Sequence, residues 1–364
     1  MKIRIGVLLA IAFSVGLAIA VGVKVALQVP YSPSSPSAPT LEAVAPSPQI
    51  VAQSGDRPPE IRAEAIVPER LVRDLKTLAF DRSTPESRDR ARRYIVEQLQ
   101  AAGWSPTPHP FPGGINIVAE RSGTDPDAGT VLVAAHYDTV SGSPGADDNA
   151  SGVAVALEVA RLLGAVPTPR SLQLAFFDLE ETGLQGSLAF AGEADPQRLH
   201  GAIVMDMVAF ACHEPGCQDY PKGLPVKAPD RGNFLAIVGD LEHLPLIEAF
   251  QQAARDPLPA IFTLPVPFKG LSIPDTLRSD HAPFWYRGIG AVLVTDTANL
   301  RSPHYHQPSD TPSNIDRDFF LGAAQLVVNA TTIVLNRRAT LDSPLPPRQA
   351  ATGRSPQGSA GSLF

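Results

Sequence analysis

Five short stretches of this chain carry residues able to bind metal or move protons. His136-Tyr137-Asp138 directly follows the apolar run Val131–Ala135. Gly145-Ala146-Asp147-Asp148-Asn149-Ala150-Ser151-Gly152 opens a helical pattern. Asp178-Leu179-Glu180-Glu181 follows the run Leu172–Phe177, and Asp206 lies inside the apolar stretch Ala202–Val208. His304-Tyr305-His306-Gln307-Pro308-Ser309-Asp310-Thr311 stands shortly before the last helical pattern. Carboxylates and imidazoles gathered at one place repel or titrate abnormally unless a cation joins them. Mixed His, Asp and Glu donors suit zinc or a similar divalent ion. One His, a carboxylate cluster, a Glu pair, a further Asp and another His are too many for one tetrahedral zinc with an open position. They suit two metals sharing a bridging carboxylate. One Glu of the pair can then bind metal while the other stays free as a proton acceptor.

The elements that must position these residues read as an alternation of strands and helices. Leu71, Val72, Leu75 and Leu78 give a helical spacing over Pro68–Phe80. Thr84 before Pro85 and Glu86 starts a second helix, which Tyr94, Ile95 and Leu99 carry to Gly103. Strands are expected at Ile115–Ala119, Thr130–Ala135, Ser171–Phe177, Ala202–Val208 and Ala291–Val294. Helices are expected at Gly152–Leu163, Leu244–Ala254 and from about Asp316 to Leu335. Short apolar strands separated by helices imply an α/β fold with a largely parallel sheet covered on both faces. In such sheets the ligand site lies beyond the carboxyl ends of the strands. The chemistry-bearing residues sit at those ends.

The pattern resembles the M28 family of zinc peptidases, which includes two-zinc aminopeptidases. The matching stretches are HYD at 136–138, GADDNASG at 145–152, EE at 180–181, MD at 205–206 and YHQPSDT at 305–311. Each is weak alone; all five in order are specific, and the resemblance covers roughly Val67 to Leu335, nearly all of the folded unit. The resemblance implies a three-layer α/β/α domain of the zinc-dependent exopeptidase type, with a mostly parallel mixed central sheet. It implies two zinc ions. His136 and Asp206 would bind one, Glu181 and His306 the other, and Asp148 would bridge them. Glu180 would be the general base, and Asp138 would hold the His136 imidazole. A cis peptide after Asp148 is also implied. The implied reaction is metal-assisted amide hydrolysis, releasing N-terminal residues from peptides. The family's Tyr-His register favours His306 over His304, and His281 in Ser279-Asp280-His281 is expected to line the substrate site. Related alternatives are a one-zinc glutaminyl cyclase and a non-catalytic receptor-like ectodomain, though a receptor would be expected to have lost ligands.

Other residues have plainer readings. Asp147 and Asn149 suit loop and capping positions, Ser151 suits a helix N-cap, and Asp178 suits a neighbour that orients the Glu pair. His109, His200, His213 and His243 read as surface or loop residues. Cys212 and Cys217 are expected to form a local disulfide in an exported protein.

The ends read differently from the core. Lys2 and Arg4 precede an uncharged run of 19 residues, Ile5 to Val23. That length suits a membrane anchor of about 20 residues, and Ala18 and Ala20 suit signal-peptide cleavage. Residues 1–29 are thus an anchor or signal. The domain would lie outside the cytoplasm, membrane-attached through that segment, or secreted or periplasmic if it is cleaved. Residues 30–59, with eight prolines and six serines, form a spacer; 341–364 form a tail; 60–340 form one peptidase domain. Of 364 residues 44% are hydrophobic, which is enough for a core. The net charge of −7 argues against nucleic acid as a partner; peptides are the substrate that the family resemblance implies.

Overall fold

A computed structural model of the chain describes residues 63–343, except 222–223 and 225–227. The expected anchor at 1–29, the spacer at 30–59 and residues 344–364 lie outside the described residues. Helices α1 (Pro68–Leu78) and α2 (Pro85–Ala101) come first. Then come β1 (Thr107–Phe111), β2 (Gly114–Arg121), β3 (Thr130–His136), α3 (Gly152–Leu163), β4 (Ser171–Phe177), α4 (Gln185–Glu193) and β5 (Leu199–Met205). The chain continues through β6 (Phe234–Asp240), α5 (Leu244–Ala253), β7 (Ala260–Val266), α6 (Ala282–Tyr286), β8 (Gly290–Thr295) and α7 (Arg317–Asn336).

The eight strands form one sheet in the order β1-β2-β4-β3-β5-β8-β6-β7. The centre is parallel: β3 pairs with β4 and β5, and β5 with β8. The flanks add antiparallel pairs at β1–β2, β2–β4 and β6–β8, so the sheet is mixed. The residues of β3 show why both faces are covered. Val131, Val133 and Ala135 pack into the larger core with α1, α2, α3, α5 and α7. Leu132 and Ala134 point the other way, into the core with α4 and α6. A strand apolar on both faces must be sandwiched, and this gives the expected three layers.

Sequence signals place the helix starts. Thr84 and Ser87 form a reciprocal capping box at α2. Asp316 accepts the Phe319 N–H at the start of α7, a cap worth about 1 kcal/mol. Helix α7 is long and apolar enough to cross a membrane, but most of it is buried in the core. Leu341 is buried beside Leu246, and the Ser343 hydroxyl donates to the Leu241 carbonyl, so packing continues past residue 340.

Three expectations change. Strands β1, β6 and β7 and helices α4 and α6 were not anticipated. Strand β5 stops at Met205, so Asp206 stands just beyond the strand, with its backbone N–H on the Val294 carbonyl. Ser151 makes no cap; its hydroxyl donates to the Asp147 carbonyl and accepts from the Val208 N–H.

Candidate metal centre

Strands β4, β3, β5 and β8 are neighbours in the sheet, and the expected ligands follow their carboxyl ends. His136 ends β3, Glu180 and Glu181 follow β4, Asp206 follows β5, and His306 comes from the loop after β8. Asp148 arrives on the turn that leads into α3. The fold brings all six of these side chains to one place.

Asp148 stands between the two imidazoles. Its Oδ1 is 3.3 Å from His136 Nε2, and its Oδ2 is 3.3 Å from His306 Nε2. Asp206 Oδ1 lies 3.6 Å from His136 Nε2, and Glu181 Oε2 lies 3.0 Å from His306 Nε2. Two sets of donor atoms each fall within 4.8 Å of one another: His136, Glu180 and Asp206, and Asp148, Glu181 and His306. Both ring nitrogens of His136, and Glu181 Oε1, are buried without a hydrogen-bond partner. Buried polar atoms left unpaired in this way need a partner. A divalent cation in each set would supply it, and carboxylate and imidazole donors fit zinc.

Charge at the site points the same way. Burial works to lower the His136 imidazole, but Glu180, Asp138, Asp148 and Asp206 outweigh it and push it well above the usual range. Burial likewise opposes protonation of His306, yet Asp148 and Glu181 push it up to about 10. Burial, then Asp148, pushes Glu181 up to about 7. The Glu180 carboxyl, 8% exposed, is pushed well up by burial and by its acidic neighbours. The centre therefore takes up positive charge wherever it can, as a bed of anions awaiting cations does.

Backbone contacts position these groups. Asp138 accepts the Glu180 N–H at 3.1 Å and the Glu181 N–H at 3.2 Å, and lies 3.4 Å from His136 Nδ1. It thus ties the Glu pair to the β3 ligand. Asp310 accepts the N–H groups of Asp147 and Asp148, at 2.9 and 3.0 Å. The peptide Asp148–Asn149 is cis, as the resemblance implied. Asn149 grips the β5 end, donating to the Met205 carbonyl and accepting from Met207 N–H. Leu179, Met207 and His306 have φ near +58°, +55° and +60°. Left-handed backbone is strained for such residues. All three lie at or beside a metal-binding candidate.

Several other expectations can be placed. Asp178 is paired with Arg88 at 2.8 Å and accepts the Ile115 N–H, so it braces the turn before the Glu pair. His304 turns away, with Nδ1 2.9 Å from Ser309 Oγ. His281 has no exposed surface and faces the Thr276 carbonyl at 2.8 Å, so it supports the pocket wall from behind and does not line it. His243 is buried on Asp240, contrary to the surface reading. Cys212 and Cys217 are bonded. Arg82 and Asp296 went unnoticed as parts of this region, and Asp280 was named beside His281 without a role of its own. Asp310 also went unnoticed, although it lies within the YHQPSDT stretch.

A cavity of about 120 Å³ opens beside the cluster. Asp148, Glu180, Glu181, Asp206 and His306 form one wall; Ala236, Val238, Phe262, Leu264 and Leu293 supply apolar surface, and Tyr220 and Leu224 close a side. Residues from both 219–234 and 264–277 contribute to the lining.

A model of peptidase family M28 matches residues 116–331. The uncharacterised protein YfbL of Escherichia coli K12 is 32% identical over 292 residues, covering 74% of this chain and 87% of that protein. The aminopeptidase YwaD of Bacillus subtilis 168 is 31% identical over 207 residues, covering 55% of this chain and 40% of that protein. The probable lipoprotein aminopeptidase LpqL of Mycobacterium tuberculosis H37Rv is 29% identical, covering 56% and 42%. The chain spans less than half the length of these two aminopeptidases. Among solved structures, an aminopeptidase from Aneurinibacillus sp. strain AM-1 has a TM-score of 0.58 at 16% identity, covering 77% and 97%. A Porphyromonas gingivalis glutaminyl cyclase has a TM-score of 0.52 at 17% identity, covering 73% and 97%. At such identities the likeness is one of fold, and the fold alone does not separate peptidase from cyclase.

Proposed function

The chain belongs to peptidase family M28, and from that premise we propose that it is a two-zinc aminopeptidase acting on peptides with an apolar N-terminal residue. The observation that carries this is the placing of Asp148, one oxygen to each imidazole, beside an apolar cavity. His136 and Asp206 would hold one zinc, Glu181 and His306 would hold the other, and Asp148 would be shared between them. Bound zinc supplies Lewis acidity, which polarises the scissile carbonyl and eases ionisation of water.

The chain's own residues do the rest. Glu180 takes a proton from the attacking water and returns it to the leaving amine as the C–N bond breaks. Its carboxyl is buried, and burial raises its proton affinity. Asp138 orients His136 and holds the backbone of both glutamates. The apolar cavity walls receive the first side chain of the peptide.

The Cys212–Cys217 bond and the basic-then-apolar N-terminus support an exported enzyme, anchored or released by signal cleavage. Fractionation of expressing cells tests this; a cytoplasmic pool alone would refute it. Activity is tested on the purified full chain with aminoacyl chromogenic substrates and an N-terminal glutaminyl peptide, each with and without chelator. Release of chelator-sensitive aminoacyl product supports the peptidase. Ring closure of the glutaminyl peptide with no aminoacyl turnover would assign a cyclase.

A further inference from the structure

We propose that Arg82, which no expectation singled out, is a positioning residue of the metal centre: its guanidinium sets the backbone of Asp148 and of the His136–Asp138 turn, so that the bridging carboxylate stands between the two imidazoles. The inference rests on the metal reading above.

Arg82 lies in the turn between α1 and α2, yet it is 1% exposed. A guanidinium carries five N–H donors in a rigid fork. Here they go to backbone carbonyls from three separate segments. Nε donates to the Tyr137 carbonyl at 2.7 Å, between His136 and Asp138. Nη1 donates to the carbonyls of Leu78, Phe80 and Pro144. Nη2 donates to the Gly145 carbonyl at 2.9 Å and reaches the Asp148 carbonyl at 3.4 Å. The Arg82 N–H adds a bond to Thr139 Oγ1 at 2.9 Å. One side chain thus joins the strand end that bears His136 to the turn that bears Asp148.

Two further facts separate this from a simple loop tie. No hydrogen bond described for the Arg82 guanidinium goes to a carboxylate. A buried charge without a direct counter-ion is costly, and the acids that favour its charged form are Asp148, Asp138, Asp310 and Glu181, all at the centre. The positive charge thus sits behind the anionic cluster and leaves its carboxylate oxygens free for cations. The turn is also shaped around the guanidinium. Gly145 has φ +58°, and a Cβ there would lie 2.8 Å from Arg82 Nη2 and 2.2 Å from the Asp148 carbonyl oxygen.

The test uses the purified full chain as wild type, Arg82→Lys and Gly145→Ala. Zinc affinity is read by chelator competition, the ligand field by visible absorption of the cobalt(II)-loaded protein, and the fold by thermal unfolding. Lysine keeps the charge but cannot span three segments. Supporting partners of metal ligands are typically worth about 10–100-fold in affinity. Arg82→Lys should therefore unfold cooperatively, lose about that much zinc affinity at one site or both, and shift the cobalt bands; kcat should fall more than KM changes. Gly145→Ala, which keeps Arg82 but displaces the turn, should shift the same bands. If Arg82→Lys melts lower while zinc affinity and cobalt spectrum match wild type, Arg82 is only a structural tie and the proposal fails. Should Arg82→Lys not fold, an unchanged cobalt spectrum in Gly145→Ala overturns it. A wild-type chain that binds no zinc would sink the metal reading itself, and this inference with it.

Discussion

Replacing Glu180 and Glu181 singly with glutamine separates proton transfer from metal binding. The two residues are adjacent, and their backbone N–H groups share Asp138 as acceptor. A Glu-to-Gln exchange leaves those backbone bonds and the side-chain shape intact. In Glu180→Gln the donors His136, Asp148 and Asp206 remain around one ion, and three protein ligands suffice for a catalytic zinc. Zinc content and KM should then stay near wild type. The proton acceptor is gone, and general-base catalysis is worth roughly 10²–10⁴ in rate. At about 1.36 kcal/mol per decade, the barrier should rise by about 2.7–5.4 kcal/mol. Glu181→Gln should behave differently. Its Oε2 is the oxygen 3.0 Å from His306 Nε2, and without it only Asp148 and His306 hold the second ion. Zinc affinity at that site should fall by more than the roughly 10–100-fold typical of losing a supporting partner, and excess zinc should restore part of the rate. The assay is zinc content by elemental analysis with kcat and KM on one aminoacyl chromogenic substrate. If Glu180→Gln loses an ion while Glu181→Gln keeps both and loses turnover, the two roles are reversed.

Removing zinc with chelator should lower the thermal midpoint, and restoring free zinc to about 100 times Kd should add about 2.7 kcal/mol of stability; identical calorimetric scans would count against a built site. Asp138→Asn should cost about 10–100-fold in zinc affinity, because the carboxylate braces His136 and both glutamates; chelator competition measures it. Replacing Cys212 and Cys217 with serine should raise KM for apolar substrates more than it lowers kcat, since the bond anchors the segment that carries Tyr220 and Leu224 to the cavity wall; steady-state kinetics on leucyl and alanyl substrates decide it. Asp147 and Asp296 face each other, and burial, with the other acid adding to it at Asp147, pushes Asp147 well up and Asp296 to about 6. The folded chain then holds protons that the unfolded chain releases near pH 4, so the Asp296 contribution is lost as pH rises through about 6. Asp296→Asn should flatten that part of the curve, read as the difference between wild-type and variant denaturant midpoints across the window.

What the sequence made legible followed from strong local signals. Apolar runs of both faces marked β3, β4, β5 and β8, and the first three led directly into residues with chemistry. The all-round burial of α3 and the long period of α7 were equally plain. Several of the missed elements lacked such signals, although β6, with Phe234-Leu235-Ala236-Ile237-Val238, carries one as plain as β3. Strand β1 reads Thr107-Pro108-His109-Pro110-Phe111, and proline is tolerated there because β1 is an edge strand. Strand β7 carries Pro265 at the other edge. Helix α6 has five residues, too few to show a period. The ligands were readable because metal chemistry restricts residue type. Of their supports Asp138 was readable and Arg82 and Asp310 were not, because these two act on backbone atoms, and backbone atoms leave no trace in residue type.

That division explains how the fold gathers so many acids without neutralising them beforehand. Had the basic groups paired directly with Asp148 or Glu181, those oxygens would be occupied and a cation would have to displace them. Instead the supporting charges take hold of peptide groups. Asp310 accepts from the N–H of Asp148, Asp138 accepts from the N–H of both glutamates, and Arg82 donates to the carbonyls of Tyr137, Gly145 and Asp148. Each fixes where a ligand side chain starts and leaves its donor atoms free. Both ring nitrogens of His136 and one oxygen of Glu181 are accordingly buried without hydrogen-bond partners. Buried unsatisfied groups of this kind destabilise a folded chain by about 1–3 kcal/mol each, and cation binding removes that penalty. Metal affinity and fold stability in this chain should therefore move together when a ligand or a support is changed, and separate when a change falls on the apolar cavity wall.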